Sequence, residues 1–212
     1  GNHFEKKGPV LEHPIKGYTA HVRDPKVWQG KDGKWWMVLG AQTENLMGDA
    51  LIYQSINLVD WTLVGSLLDE PLSLGYMWEC PDILRFADTD IFSFSPQGLE
   101  VEEEKYRNIY QSGYFTGQFK ENGVLEKSAQ DFKELDHGFE FYAPQTFVDD
   151  AGRTILYGWV GVMEPEVEAA VPTRKQGWLH ALTIPREVRY ESRKLTQYPL
   201  SEIANLRETS PI

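Results

Sequence analysis

The stretch Glu79-Cys80-Pro81-Asp82-Ile83-Leu84 decides the fold, together with Ile91-Phe92-Ser93-Phe94-Ser95, which follows it after the turn residues Asp88-Thr89-Asp90. Both runs are short and rich in apolar residues, and turn residues separate them, which is typical of two strands joined in a hairpin. Two further hairpins are predicted in the same way, one around Asp32-Gly33 and one around Ala151-Gly152. Long helical periodicity is nearly absent, so the sequence predicts an all-β chain.

Each hairpin is preceded by a similar strand that contains a proline. The three strands are Asp24-Pro25-Lys26-Val27-Trp28, Cys80-Pro81-Asp82-Ile83-Leu84 and Ala143-Pro144-Gln145-Thr146-Phe147, and their prolines lie 56 and then 63 residues apart. We place these prolines at strand starts, where a missing N–H costs little. Pro185 is interpreted as the start of a fourth unit.

A repeat of about 50 residues with about four strands per unit is typical of the blades of a β-propeller. A generic β-sandwich whose X-Pro strand starts coincide by chance is the alternative. A propeller gathers the residues before each proline around a central channel. Those positions carry Arg23-Asp24, Glu79-Cys80 and Glu140-Phe141-Tyr142, so acids recur where a funnel-shaped site would lie.

The composition narrows the class of protein. The net charge of −11 disfavours nucleic acid as a partner, since phosphate binding needs clustered Lys and Arg. No apolar run approaches the roughly 20 residues that cross a bilayer, so no membrane span is expected. The single cysteine, Cys80, excludes an internal disulfide and favours a reducing cytoplasm. No metal cluster or cofactor motif is present, and no cofactor is expected.

The recurring acids suit the hydrolysis of a glycosidic bond, which uses two carboxyl groups in different environments. Glu79 lies in Tyr76-Met77-Trp78-Glu79, where apolar neighbours would disfavour its ionised form. Asp24 follows Arg23, whose cation would favour an ionised carboxylate able to stabilise positive charge on a sugar. Taken alone, Glu79 could be an ordinary acid at a strand start, and Asp24 a turn residue paired with Arg23.

Five blocks of sequence, in order, resemble glycoside hydrolase family 32. They are His21-Val22-Arg23-Asp24-Pro25-Lys26-Val27-Trp28 (an Arg-Asp-Pro motif), Trp78-Glu79-Cys80-Pro81-Asp82 (Glu-Cys-Pro), Phe141-Tyr142-Ala143-Pro144-Gln145-Thr146-Phe147 (Phe-Tyr-Ala-Pro-Gln), Gly158-Trp159-Val160, and Gly177-Trp178-Leu179-His180 through Pro185-Arg186-Glu187. Each tripeptide alone is weak, but the ordered series from His21 to Glu187 is specific. Neighbouring propeller glycosidases that act on arabinosides or xylosides fit the series less well.

The resemblance implies a five-bladed β-propeller and a retaining mechanism on β-D-fructofuranosides, with sucrose or sucrose 6-phosphate as substrate. It implies that Glu79 is the acid/base and Asp24 the transition-state stabiliser. It further implies substrate contacts from Arg23, Tyr142, Trp159 and Glu140, the last at a position where relatives often carry Asp.

The chain departs from the family at its start. The family's nucleophile is an Asp in a Trp-Met-Asn-Asp-Pro-Asn-Gly-like segment of the first blade, and nothing like it occurs between Gly1 and Tyr18. We therefore expect about four blades with the first one missing, a partial catalytic propeller over residues 1–200, and the start of a linker to a β-sandwich over 201–212. Such a chain is expected to be inactive alone.

A second hypothesis belongs to a different class of function. The chain could be a non-catalytic propeller remnant that binds carbohydrate or associates with itself, because an incomplete ring exposes strand edges. A homodimer through those blade edges is the partner that this hypothesis predicts.

Overall fold

The computed structural model describes residues 3–12, 15–128 and 131–207, and strands carry most of its regular structure. Numbered in chain order, the strands are β1 (Tyr18–Gln29), β2 (Trp35–Thr43), β3 (Gly48–Ser55), β4 (Thr62–Ser66), β5 (Met77–Arg85), β6 (Asp90–Gln97), β7 (Gly113–Phe119), β8 (Leu125–Lys127), β9 (Lys133–Glu134), β10 (Phe141–Val148), β11 (Thr154–Val160), β12 (Ala181–Leu182), β13 (Arg186–Glu191) and β14 (Lys194–Pro199). One α-helix, α1 (Pro165–Ala170), and two 3₁₀ helices, Pro172–Gln176 and Ser201–Leu206, complete the elements. Within these described ranges, no helix has the length and apolar character needed to span a bilayer.

The strands form three antiparallel sheets, each an up-and-down meander. The first sheet has the order β1-β2-β3-β4, the second β5-β6-β7-β8 with β9 also on β7, and the third β10-β11-β13-β14 with β12 also on β11. Turns at Asp32-Gly33, Asp88-Thr89 and Ala151-Gly152 join the first two strands of each sheet, as predicted. The predicted all-β propeller class is thereby confirmed in architecture, although these sheets do not close into a ring.

The prediction of about four blades is wrong for the described residues, which form three. Pro185 does not begin a new sheet, because the strand that follows it, β13, pairs with β11 from Leu156↔Arg186 to Thr154↔Val188. The third strand of this sheet is split into β12 and β13, and the proline lies between them. Of the predicted linker 201–212, residues 208–212 lie outside the described part of the chain.

The sequence predicts the repeated prolines at strand starts. The structure shows them instead at bulges inside the first strand of each sheet. Register breaks separate Arg23 from Lys26, Glu79 from Asp82, and Tyr142 from Gln145. The residue before each proline has a positive φ: 60° at Asp24, 47° at Cys80 and 49° at Ala143. A bulge leaves one residue outside the ladder, which accommodates proline, and it re-aims the neighbouring side chains.

The first strands of the three sheets lie side by side, because apolar layers hold the sheets face to face. The layer between the first and second sheets includes Trp36, Ile52, Trp78 and Phe92, and the layer between the second and third includes residues such as Phe141. Strand β5 contacts both β1 and β10. The bulges of β1, β5 and β10 therefore lie close to one another.

Gly40 sets how closely the first sheet approaches β5. A Cβ at this position would lie 2.1 Å from the backbone oxygen of Trp78 and 3.3 Å from the Cα of Glu79. We expect Gly40→Ala to lower the free energy of unfolding by about 1–3 kcal/mol, because the sheets must separate. Urea denaturation measures this loss.

The matched control is Gly33→Ala in the first hairpin, where φ is +79° and no atom lies within 4 Å of the added Cβ. That change adds no contact and costs only the strain of an L-residue in a left-handed backbone, about 1–2 kcal/mol. A loss at Gly40 no larger than at Gly33 would contradict the close-approach argument.

Candidate active site

Glu79 occupies the centre of the converging strands, and hydrogen-bond donors from all three sheets contact its carboxylate. Oε1 accepts from Arg23 Nε at 2.8 Å and forms an ion pair with Arg23 Nη2 at 2.5 Å. Oε2 accepts from the Tyr142 hydroxyl at 2.5 Å and from Gln97 Nε2 at 2.7 Å. The Glu79 side chain is 15% exposed, so the carboxyl is largely shielded yet open to a ligand from one side.

The surroundings of Glu79 differ from the predicted apolar pocket. Trp78 and Met77 are buried, and Trp78 belongs to the layer between the first two sheets. Side chains alternate between the two faces of a strand, so the residue next to Glu79 points into the core. The carboxyl lies on the opposite face, among polar donors from all three sheets.

Asp24 on β1 is bound by the neighbouring strand β5. Its Oδ2 accepts a hydrogen bond from the backbone N–H of Cys80 at 3.0 Å, and the Cys80 Sγ lies 3.7 Å from the same oxygen. The structure thus brings Asp24 next to the residue that follows Glu79. The alternative in which Asp24 is a turn residue paired with Arg23 does not match the structure, because the Arg23 guanidinium binds Glu79.

Tyr142 is a buried donor to Glu79. Burial raises the pKa of the Tyr142 phenol well above its ordinary value, and the Glu79 carboxylate raises it further. The phenol therefore stays protonated near neutral pH. A hydroxyl can also accept a hydrogen bond, so Tyr142 can contact Glu79 in either protonation state of the carboxyl.

Trp159 lies on β11 directly opposite Tyr142 in the register of the third sheet. Its ring meets the His180 ring edge-on, with centroids 5.1 Å apart, and lies against Gly161, where a Cβ would come within 2.4 Å of the indole. Paired residues on neighbouring strands share a face, so the structure brings Trp159 to the Tyr142 side of the site.

Glu140 stands at the start of β10 with a φ of 65°. Its backbone N–H donates to Asn108 Oδ1 at 3.0 Å, and its carbonyl accepts from the Gly161 N–H at 3.2 Å. These contacts fix the backbone beside the site. No hydrogen bond of the Glu140 carboxylate occurs among the described residues, so the structure does not join this side chain to the Glu79 cluster.

Gln97 is a site residue that the sequence reasoning missed. It follows the predicted strand Ile91–Ser95, and its amide contacts Glu79 at 2.7 Å and the Tyr142 hydroxyl at 3.4 Å. The register of the hairpin is the signal that could have identified it. Glu79 on β5 pairs with Ser95 on β6, so these two side chains share a face of the sheet. Gln97 is two residues after Ser95, so its side chain points to the same face as Glu79.

A second polar layer joins the same three strands, three residues beyond the first in β1 and β5 and four residues beyond it in β10. Asp82 Oδ2 accepts from Lys26 Nζ at 3.0 Å, from Thr146 N at 3.0 Å and from Thr146 Oγ1 at 2.6 Å. Lys26 Nζ also donates to the Thr146 carbonyl. This layer ties β1, β5 and β10 together just beyond the Glu79 cluster.

Sheets packed face to face, with polar side chains converging on their first strands, define a β-propeller protein with a site on its axis. The family model described as the glycosyl hydrolases family 32 N-terminal domain matches residues 1–199. The chain belongs to glycoside hydrolase family 32, as the ordered motifs predicted.

Curated relatives match almost the whole chain. The sucrose-6-phosphate hydrolase of Bacillus subtilis is 46% identical over 211 residues, covering 98% of this chain and 43% of that protein. The enzyme of the same name from Klebsiella pneumoniae is 45% identical over 209 residues, covering 96% of this chain and 44% of that protein. The chain therefore spans less than half the length of these relatives.

Solved structures share the fold. A β-fructofuranosidase of this family from Bombyx mori superposes with a TM-score of 0.84 at 37% identity, covering 98% of this chain and 43% of that one. The sucrose-6-phosphate hydrolase of Lactobacillus gasseri gives a TM-score of 0.86 at 29% identity, with coverage of 97% and 42%. A variant of the Bombyx mori enzyme is described in complex with sucrose.

Proposed function

We propose that this chain is part of a retaining glycosidase that hydrolyses sucrose or sucrose 6-phosphate, with Glu79 as the acid/base and Asp24 as the transition-state stabiliser. The observation that carries the proposal is the Glu79 carboxyl held between Arg23 on one oxygen and Tyr142 with Gln97 on the other. A carboxyl fixed by donors from separate sheets is oriented before substrate arrives.

The chemistry follows from the two carboxyl environments. Glu79 would protonate the oxygen that leaves with the glucosyl part, and later take a proton from water. Asp24, oriented by the Cys80 N–H, would accept fructosyl hydroxyls and stabilise the positive charge of an oxocarbenium-like transition state. Arg23, Tyr142, Trp159 and Glu140 would contact the sugar around them.

A retaining mechanism also needs a carboxylate that attacks the anomeric carbon. The sequence contains no Trp-Met-Asn-Asp-Pro-Asn-Gly-like segment, and we propose that the 212-residue chain is inactive alone. We further propose that residues 1–200 are the catalytic propeller portion, that residues 201–212 begin a linker, and that the protein works in the cytoplasm.

Self-association through blade edges, which the alternative hypothesis of a non-catalytic remnant predicts, is a separate proposal. The strands β4 and β14 lie at the outer edges of the first and third sheets, and a second copy could pair with such an edge. Light scattering that finds a single monomeric species would contradict the dimer without touching the assignment of Glu79.

The test combines hydrolysis with binding, both on the purified chain. We expect no release of glucose from sucrose, or of glucose 6-phosphate from sucrose 6-phosphate, by the chain or by Glu79→Gln. Saturation-transfer NMR should show sucrose bound through its fructosyl protons. Asp24→Asn should weaken this binding by about tenfold, because a hydrogen bond to a charged group is lost.

The matched control is Asp150→Asn, which changes an exposed aspartate on the hairpin between β10 and β11. It should leave sucrose binding unchanged. Release of glucose that Glu79→Gln retains would refute the role of Glu79. Release that Glu79→Gln abolishes would refute only the inactivity of the chain, and a failure to bind sucrose would refute the assignment to fructosides.

A further inference from the structure

Two tyrosines outside the proposed machinery lie near the Glu79 cluster, in segments next to strands of the second sheet. Tyr76 immediately precedes β5 and is 41% exposed, and Tyr110 lies in the connection between β6 and β7. The Tyr110 ring lies 5.6 Å from the Tyr142 ring, at an angle of 44°. Burial raises the pKa of the Tyr76 phenol, and the neighbouring Tyr110 hydroxyl and then the Glu79 carboxylate raise it further. We call Tyr76 and Tyr110 the tyrosine wall.

The carboxyl of Glu79 separates two groups of side chains. Oε1 faces Arg23, and Asp24 is bound to the adjacent Cys80 N–H. Oε2 faces Tyr142 and Gln97, and Gln97 forms a backbone bridge with Tyr110. The tyrosine wall therefore lies next to the residues that bind Oε2, whereas the proposed fructosyl contact Arg23 binds Oε1 and the proposed contact Asp24 binds the following residue, Cys80.

A general acid stands at the scissile bond, so the two halves of a substrate extend to either side of it. If fructose occupies the side of Arg23 and Asp24, the leaving sugar extends toward the tyrosine wall. Aromatic rings bury the apolar C–H faces of sugars while their hydroxyls remain hydrated.

The tyrosine wall is held in place before any ligand arrives. Asn108, two residues before Tyr110, donates from Nδ2 to the Gly138 carbonyl at 2.9 Å and accepts the Glu140 N–H at 3.0 Å. Gln111 is 1% exposed and donates to the Asn108 carbonyl at 2.6 Å.

Two contacts with Gln97 and Gly98 hold Tyr76 in place. Its backbone N–H donates to the Gln97 carbonyl at 2.8 Å. Its ring lies on Gly98, where a Cβ would come within 2.4 Å. A rigid aromatic surface binds with a smaller loss of conformational entropy than a mobile one.

We propose that Tyr76 and Tyr110 form the subsite for the leaving hexosyl unit and so determine which β-fructosides this site accepts. This inference rests on the proposed function, in which Glu79 protonates the leaving oxygen. The pair contacts the apolar face of the pyranose ring of that unit.

The test maps the bound sucrose by saturation-transfer NMR on the 212-residue chain, reading the glucosyl and fructosyl protons separately. In the wild-type chain both rings should receive saturation. Tyr110→Ala and Tyr76→Ala should each abolish most of the glucosyl saturation and raise the Kd for sucrose by about three- to tenfold, with fructosyl saturation retained. Tyr110→Phe keeps the ring and should keep the glucosyl signal.

The matched control is Tyr198→Ala, which removes a tyrosine that is 45% exposed on the outer strand of the third sheet. It should change neither signal. If Tyr110→Ala does not fold, as judged by circular dichroism, the exposed Tyr76→Ala carries the test. Fructosyl saturation without glucosyl saturation in the wild-type chain would overturn the subsite and leave the proposed function standing. Absence of both signals would overturn the proposed function and the subsite with it.

Discussion

Replacing Asp82 with leucine is expected to lower the free energy of unfolding by about 3 kcal/mol. The Asp82 side chain is 1% exposed, and its Oδ2 accepts hydrogen bonds from Lys26 Nζ and from both the N–H and the hydroxyl of Thr146. Leucine leaves the ammonium without its counter-charge and the Thr146 N–H without an acceptor. Breaking one side of a buried pair costs about 3–5 kcal/mol, and the lower end applies because Lys26 is 23% exposed to water.

A double variant separates the charge from the packing. Lys26→Met combined with Asp82→Leu leaves no unpaired charge, so it should be more stable than Asp82→Leu alone by about 1–2 kcal/mol. Urea unfolding followed by tryptophan fluorescence measures both. The control is Glu126→Gln, which breaks an exposed ion pair with Lys120 and should leave the unfolding midpoint unchanged. If Asp82→Leu shifts the unfolding midpoint no further than Glu126→Gln does, the polar layer around Asp82 does not stabilise the fold.

Several residues that contact one another in the site are separated in sequence by the same intervals as the repeated prolines. Arg23 and Glu79 are 56 residues apart, as are Lys26 and Asp82, which is the separation of the first two prolines. Glu79 and Tyr142 are 63 residues apart, the separation of the next two. Equivalent positions of successive blades therefore touch, because their first strands lie side by side. The sequence predicted this convergence, and the structure adds which atoms meet.

Other features could not be predicted from local patterns. Pro185 resembled the three repeated prolines in sequence, but only the pairing of β13 with β11 shows that it lies within the third sheet. The partner of Arg23 could not be read from its neighbours either, because adjacent residues of a strand point to opposite faces and its guanidinium binds Glu79, 56 residues away. Tyr110 follows no strand pattern, and its position depends on Asn108 binding a loop 30 residues away.

The thiol of Cys80 is expected to react with iodoacetamide at pH 8 about 10³-fold more slowly in the native chain than in the chain unfolded by urea. Burial, followed by the carboxylates of Asp24 and Glu79, raises the pKa of the Cys80 thiol from the ordinary 9.0 to about 12. Only the thiolate attacks, so a pKa about three units higher leaves about a thousandth of the reactive form. Mass spectrometry of quenched samples measures both rates, and Cys80→Ser, which removes the only cysteine, should take up no label.

The pH dependence of the reaction rate distinguishes a Cys80 thiol whose pKa is raised from one that the reagent merely cannot reach. A thiol with a pKa near 12 should react about tenfold faster with each pH unit well beyond pH 9, whereas a merely shielded thiol of ordinary acidity levels off there. Because the pKa is higher in the folded chain than in the unfolded one, the stability that this thiol contributes is complete below about pH 9 and is lost as the pH rises toward 12. Asp24→Asn removes one of the two carboxylates and should speed the native reaction. A native rate that levels off near pH 9 would show that neither burial nor the carboxylates of Asp24 and Glu79 raise the pKa of Cys80.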